Sequence, residues 1–239
     1  MKNLIMMLVL AFTGSGLFSN NPVEPQNHQV IAFSGLKLRA EPNTSGKVLK
    51  IIPFGQSVEM LETEIKRQSI EWLSGHWVKV RFEGKTGYVF DAFLTELPIP
   101  KNDYELSRND ADISYPLLSW MEHNFKLVSK SDTLETNEYF KRTQYFQDSI
   151  TVSTTEGQYA FELTVDLPGL RLGDAYNISR SLLLTKLERE LFEENTLFVS
   201  NSDGIIDEIK VDLDAPIRIT KTDDGVSINV RSYQYICGL

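Results

Sequence analysis

The sequence contains few of the residues that form disulfides or metal centres. It has one cysteine, Cys237, and three histidines, His28, His76 and His123. A single thiol cannot form an intrachain disulfide, so the core is expected to be held by packing. Cys237 is interpreted as a small apolar residue that ends a strand, with an intermolecular disulfide as the alternative. The histidines are far apart and lack metal-ligand spacing, so no metal and no cofactor is predicted.

The motifs of several enzyme classes are also missing. The sequence has no Gly-Lys-Ser phosphate loop, no dinucleotide fingerprint and no Gly-x-Ser-x-Gly nucleophile elbow. A cysteine peptidase needs a histidine beside its thiol, and this histidine usually follows the cysteine in the chain. The one cysteine is Cys237, and no histidine follows His123. A glycosidase of the lysozyme type needs only two carboxylates. The 33 acidic residues leave that class open, although no catalytic residue is predicted.

Positive charge and long apolar runs are scarce as well. Acidic residues outnumber basic ones 33 to 24, a formal net charge of −9 at pH 7. A negative surface repels phosphate backbones, so nucleic-acid binding is not expected. The apolar run Leu4 to Phe12 follows Lys2 and is too short for a membrane span, which needs about 20 residues. Residues 1–19 are therefore predicted to be a signal peptide without a lipidation cysteine, and the protein is expected to be secreted or periplasmic, with no membrane span after cleavage.

The stretch from Leu36 to Leu94 carries the most informative pattern. It begins with Leu-x-Leu-Arg-x-x-Pro, continues through a polar turn and the apolar run Val48 to Ile52, and ends with Gly-Lys-Thr-Gly-Tyr-Val at Gly84–Val89. Apolar and charged residues alternate along it, which is typical of half-buried strands. Turn residues separate the strands. This pattern predicts a small, half-open β-barrel.

These motifs resemble the bacterial SH3-like (SH3b) module. The resemblance implies an SH3-like barrel at 29–96 and, by analogy with wall-targeting members, binding of peptidoglycan or of an envelope protein. The segment Glu62 to Gly75 is an insertion relative to the simplest form of the family pattern and is interpreted as a polar loop.

Three aromatic residues are predicted to contact a ligand: Trp72, Trp77 and Tyr88. Trp77 and Tyr88 stand where the family has its hairpin aromatics, and packing of the barrel is the alternative for both. Trp72 lies within the inserted polar segment, where an aromatic face is suited to stacking on a sugar or a peptide. The neighbouring pair Lys66 and Arg67 is a candidate contact for stem-peptide carboxylates, with an ordinary solvated loop as the alternative.

The proline-rich residues 97–101 are interpreted as a linker to a second domain at 102–239. That domain resembles no family, but its pattern predicts an α+β fold. A short helix is expected over Tyr115 to Phe125 and one long helix over Ala175 to Glu194, which would cover an antiparallel sheet. The sheet is expected to include a hairpin at Thr222–Gly225.

The sequence thus favours an exported, non-catalytic binding protein whose SH3-like module contacts peptidoglycan or an envelope protein. Two alternatives remain open. In the first, the second domain would be a wall-modifying enzyme that uses carboxylates. In the second, the protein would be a scaffold for a partner on the envelope. Paired carboxylates in a cleft would favour the enzyme, and a large apolar patch would favour the scaffold.

Overall fold

The computed structural model describes residues 27–70, 72–100, 112–136, 139–183 and 185–233. The predicted signal peptide at 1–19 and Cys237 lie outside the described residues. The described fold is mostly β, with two antiparallel sheets and three α-helices. No helix in these ranges is both long enough and apolar enough to cross a membrane.

The N-terminal sheet has seven strands in the order β3-β2-β6-β5-β4-β1-β7. These strands are β1 (Asn27–Val30), β2 (Leu36–Arg39), β3 (Val48–Ile52), β4 (Ser57–Ile70), β5 (Leu73–Phe82), β6 (Lys85–Phe90) and β7 (Leu94–Thr95). A 3₁₀ turn (Asp91–Phe93) precedes β7. The described residues show no pairing between the edge strands β3 and β7, so closure into a barrel is not confirmed.

The predicted alternation in this sheet is confirmed on β5. Val78, Val80 and Phe82 are buried in the core of the N-terminal domain, and the charged side chains between them lie on the opposite face. There Lys79 Nζ donates to Glu62 at 2.6 Å, and Arg81 donates to the carboxylate of Glu59 at 2.8 and 2.9 Å. The two faces of one strand therefore separate core packing from surface ion pairs.

The C-terminal domain has an eight-stranded sheet in the order β12-β13-β14-β15-β11-β10-β9-β8. Its strands are β8 (Leu127–Thr136), β9 (Tyr139–Phe146), β10 (Thr151–Glu156), β11 (Ala160–Pro168), β12 (Thr196–Ser200), β13 (Ile206–Val211), β14 (Ile217–Lys221) and β15 (Gly225–Tyr233). Its helices are α1 (Ser114–Asn124), α2 (Leu172–Ser181) and α3 (Lys186–Glu194). Helices α1 and α2 pack on the central strands, as expected for an α+β fold.

The prediction of one long helix over Ala175 to Glu194 is wrong, because the chain forms two helices there. The hydroxyl of Thr185 accepts a hydrogen bond from the Glu188 backbone N–H at 3.1 Å, and the Glu188 carboxylate accepts one from the Thr185 N–H at 2.6 Å. This reciprocal capping box starts α3 as a separate helix. At the end of α2, the Ser181 hydroxyl donates to the carbonyl of Ile178 at 2.7 Å.

Candidate functional site

The hairpin of β4 and β5 extends from the N-terminal sheet to the C-terminal domain. The two strands are paired as far as Ile70 and Leu73, which places Trp72 in the turn at the tip. The polar loop predicted for this segment is therefore wrong, because the inserted residues lengthen the hairpin. The Trp72 ring lies 4.4 Å from the ring of Phe198 and 5.0 Å, edge-on, from that of Tyr176. The tip is anchored on the core of the C-terminal domain.

Arg171 connects the two domains by charge. Its guanidinium donates to both carboxylate oxygens of Asp174 at 3.0 Å, and it also lies 3.3 Å from the carboxylate of Asp91 in the N-terminal domain. The Asp91 carboxylate in turn accepts the backbone N–H of His76 at 2.7 Å. Burial lowers the pKa of Arg171, but the hydrogen bonds and charges of Asp174 and Asp91 outweigh it and hold that pKa above its usual value. The guanidinium therefore stays charged and pairs with one carboxylate from each domain.

A second aromatic contact joins the domains away from the hairpin. The Phe33 ring stacks on Phe54 at 4.5 Å and faces the guanidinium groups of Arg180 at 4.7 Å and Arg189 at 4.9 Å. Cation–π contacts of this kind stabilise by about 0.5–2 kcal/mol each. Ile31 is fully buried in the C-terminal core. The two domains thus share packed surface at several separate points.

A cleft of about 670 Å³ lies where the hairpin meets the C-terminal domain. The hairpin contributes Arg67 and Trp72, the start of α2 contributes Arg171 and Asp174, and the β14–β15 turn contributes residues 221–225. The volume is in the range of ligand sites, which often lie between domains. This interdomain cleft is the candidate binding site.

The cleft contains side chains of both signs. Its cations are Arg67, Arg171 and Lys221, and its anions are Asp174, Asp223 and Asp224. Arg171 and Asp174 neutralise each other. Arg67, Lys221 and Asp223, in contrast, are exposed on the walls. A ligand that carries both carboxylate and amino groups would find a partner of opposite charge on each wall.

The cleft has no metal-binding character in the described ranges. No group of three or more His, Cys, Asp or Glu side chains there is arranged to hold a metal ion. The Asp224 carboxylate accepts a hydrogen bond from the Thr222 hydroxyl at 3.0 Å within its own turn. The groups gathered here are suited to binding by charge and hydrogen bonds.

Comparison with known families identifies the N-terminal domain. Residues 34–95 match the family model of the bacterial SH3 domain. This segment is a bacterial SH3 domain. No family model recognises the C-terminal domain, and searches of curated proteins and of solved structures found no match to the chain. The SH3 domain therefore supplies one wall of the cleft, and a domain of unrecognised family supplies the other.

The three predicted ligand contacts lie around one small apolar cluster of the SH3 domain. Trp77 is 2% exposed within this cluster, and its ring N–H donates to the side chain of Gln68 at 2.7 Å. Tyr88 and Trp72 are half-buried and pack against the same cluster. Of the three residues, Trp72 lines the cleft. Packing accounts for all three positions, and ligand contact by them stays a prediction.

The sequence indicates only one of the other charged residues that line the cleft. Arg67 was proposed as a ligand contact and lines the cleft, whereas Lys66 beside it does not. Arg171 and Lys221 gave no sequence signal, because a single basic residue does not reveal which distant segment it faces. Asp174 occupies the third position of α2, and its carboxylate accepts the backbone N–H of Arg171 at 3.1 Å.

Tyr176, which packs under Trp72, makes the stability of this joint depend on pH. Burial raises the pKa of Tyr176 above its usual value of about 10. The neutral phenol is therefore favoured in the folded state. Its stabilising effect is complete below the unfolded pKa and is lost as pH rises through the folded pKa. We expect the difference in unfolding free energy between wild type and Tyr176→Phe to be constant below about pH 9 and to shift against wild type as pH rises above about 10.

Urea unfolding at a series of pH values measures this difference, and phenolate absorbance titrates the tyrosine directly. A difference that stays constant across the range would show that burial does not perturb Tyr176.

Proposed function

We propose that the protein is a non-catalytic binding protein of the cell envelope and that it holds a component of the cell wall in the interdomain cleft. The observation that carries the proposal is that the bacterial SH3 domain at 34–95 forms one wall of this cleft. Bacterial SH3 domains often bind peptidoglycan or other wall components. Fold alone does not assign a ligand, so the proposal relies on the side chains of the cleft.

The chemistry of peptidoglycan suits these side chains. Its stem peptides carry free carboxylates and amino groups, and its sugars present apolar faces. Arg67 and Lys221 offer cations to the carboxylates, Asp223 offers an anion to an amino group, and the half-buried ring of Trp72 offers an apolar edge. A secreted or periplasmic location, proposed from residues 1–19, would bring the protein to this polymer.

The carboxylates of the cleft favour binding over hydrolysis. A glycosidase needs one carboxyl group that stays protonated because an apolar environment surrounds it. Asp223 and Asp224 are exposed, and both oxygens of Asp174 accept hydrogen bonds from Arg171. None of these three carboxylates lies in the apolar surroundings that such an acid requires.

Co-sedimentation of the purified protein with isolated peptidoglycan sacculi tests the proposal. We expect wild type to sediment with sacculi and Arg67→Ala to bind about fivefold more weakly, which is about 1 kcal/mol, a reasonable value for one exposed charged contact. Lys66→Ala is the matched control, because it removes the same charge from the neighbouring residue, which does not line the cleft. Its binding is expected to stay within about twofold of wild type.

Two results would contradict the proposal. If wild type does not sediment with sacculi, the protein does not bind the wall. If Lys66→Ala and Arg67→Ala weaken binding equally, attraction is general and the cleft is not the site. Arg67 is exposed, so its replacement leaves the core intact and folding does not confuse the comparison.

A further inference from the structure

Among the described residues, strand β8 is an edge strand of the C-terminal sheet. It pairs with β9 on one side and is the last strand in the sheet order. Every residue from Leu127 to Leu134 is exposed, and the exposed fractions reach 65% at Val128 and 66% at Leu134. Long edge strands with exposed apolar residues tend to pair with another strand unless something blocks them. The sequence of β8 indicates which strand would pair with it.

The side chains of β8 are self-complementary about Ser131. When two copies of the strand run antiparallel with Ser131 opposite Ser131, Lys130 of each copy lies opposite Asp132 of the other. The same register places Val128 opposite Leu134 and Ser129 opposite Thr133. Opposite charges and apolar pairs that face each other across two strands are the contacts that stabilise a sheet.

We propose that two copies of this chain associate through β8, antiparallel about a two-fold axis at Ser131, so that their eight-stranded sheets become one continuous sheet. The partner is a second copy because an isologous interface requires self-complementarity, which this strand has. The pairing is distinct from wall binding, since β9, β10 and β11 separate β8 from β15 at the cleft.

The charges also select this register over its neighbours. Moving the axis to Lys130 would place lysine opposite lysine, and moving it to Asp132 would place aspartate opposite aspartate. A shift of the pairing by a single residue would place Lys130 opposite Ser131 or Thr133 and lose both charge pairs. The register centred on Ser131 is therefore favoured by attraction between Lys130 and Asp132. The other registers place like charges opposite each other or lose these charge pairs.

The contacts of β8 within its own chain hold the strand and the Asp132 side chain in place at the sheet edge. The segment Ser129–Leu134 is in regular register with Tyr145–Phe140 of β9, and irregularities occur on either side of it. The Asp132 carboxylate is held by Arg142 in a bidentate pair at 2.8 and 3.0 Å. Hydrogen bonding from Arg142 also holds the pKa of Asp132 below its usual value. Asp132 is thus ionised and fixed at the edge where Lys130 of the second copy would arrive.

Cysteine cross-linking tests the axis. In a Cys237→Ser background, Ser131→Cys places two thiols opposite each other across the axis, where antiparallel Cα atoms are about 4.5–5.5 Å apart and a disulfide can form. Ser129→Cys is the matched control, because its opposite residue is Thr133. We expect mild oxidation to give a covalent dimer of Ser131→Cys and little of Ser129→Cys. Equal cross-linking of the two variants would overturn the proposed register.

Charge exchange tests the association itself in analytical ultracentrifugation. Lys130→Glu and Asp132→Lys each place like charges opposite each other, so we expect each to weaken self-association at least about tenfold. When the two variants are mixed, the introduced glutamate of one faces the introduced lysine of the other, and the remaining Asp132 faces the remaining Lys130. A heterodimer should therefore form.

A control variant and two outcomes complete this test. Lys85→Glu makes the same change in charge as Lys130→Glu, at an exposed residue of the SH3 domain. This variant should dimerise as wild type does. A wild type that stays monomeric at high micromolar concentration, or a mixture of the two β8 variants that does not associate, would overturn the proposal.

Discussion

Replacing Trp72 with alanine is expected to lower the free energy of unfolding by about 3 kcal/mol. Truncating a buried tryptophan or phenylalanine costs about 3–5 kcal/mol, and Trp72 is half-buried, which places it at the lower end. The loss arises because the ring fills the joint between the SH3 hairpin and the C-terminal core, where it meets Tyr176 and Phe198. Guanidinium chloride unfolding followed by circular dichroism measures the change.

Tyr159→Ala is a suitable control for this result. Tyr159 is 61% exposed, so its truncation should change stability by less than about 0.5 kcal/mol. A Trp72→Ala protein as stable as wild type would mean that the hairpin tip does not pack on the C-terminal domain. The expected destabilisation also explains why Arg67, and not Trp72, is the residue to replace in wall-binding experiments. Loss of binding in Trp72→Ala would not separate ligand contact from a disturbed joint.

The strands of the SH3 domain were predictable because their signals are local. The alternation at Leu36, Lys37, Leu38 and Arg39 gives a strand with one buried face, and the structure has that strand as β2. The helix predicted over Tyr115 to Phe125 is found within one residue at each end. A short segment that carries its own periodicity and turn residues needs no knowledge of its distant partners.

The break between α2 and α3 also had a local signal, which the apolar spacing concealed. Thr185 and Glu188 form the Ser/Thr-x-x-Glu pattern that starts a helix, and the structure uses it as a capping box. The leucines on both sides continue a helical period across the break, so periodicity alone predicted one long helix. Capping signals and apolar periodicity must therefore be considered together when helix ends are assigned from a sequence.

The cleft could not be predicted from the sequence, because its walls are brought together by long-range contacts. The polar neighbours of Trp72 in the sequence predict an aromatic residue in a polar loop, whereas the residues that pack on its ring are Tyr176 and Phe198. Arg171 is 80 residues from Asp91, and no local pattern links them. The SH3 motifs predicted where a ligand-binding module lies but not which of its surfaces faces the second domain.

Gly225→Ala is expected to destabilise the protein by about 2–3 kcal/mol, because the added methyl group would collide with backbone at the floor of the cleft. A β-carbon at this position would lie 2.8 Å from the Cα of Pro168 and 2.9 Å from the backbone nitrogen of Gly169. Backbone at the end of β11 cannot move aside as a side chain can, and overpacking of this kind costs about 1–3 kcal/mol. The Gly225 N–H also donates to the Thr222 hydroxyl at 3.0 Å, which fixes the β14–β15 turn.

Gly173→Ala provides the matched comparison, since Gly173 lines the same cleft at the start of α2. A β-carbon there would meet the end of the Leu73 side chain at 2.7 Å, and that methyl group can rotate away. Alanine is also favoured over glycine in a helix by up to about 1 kcal/mol, which offsets the cost of moving Leu73. We therefore expect Gly173→Ala to change the unfolding free energy by less than about 1 kcal/mol in chemical denaturation. If the two variants lose equal stability, the clash of a β-carbon with rigid backbone at Gly225 is not the cause of the destabilisation.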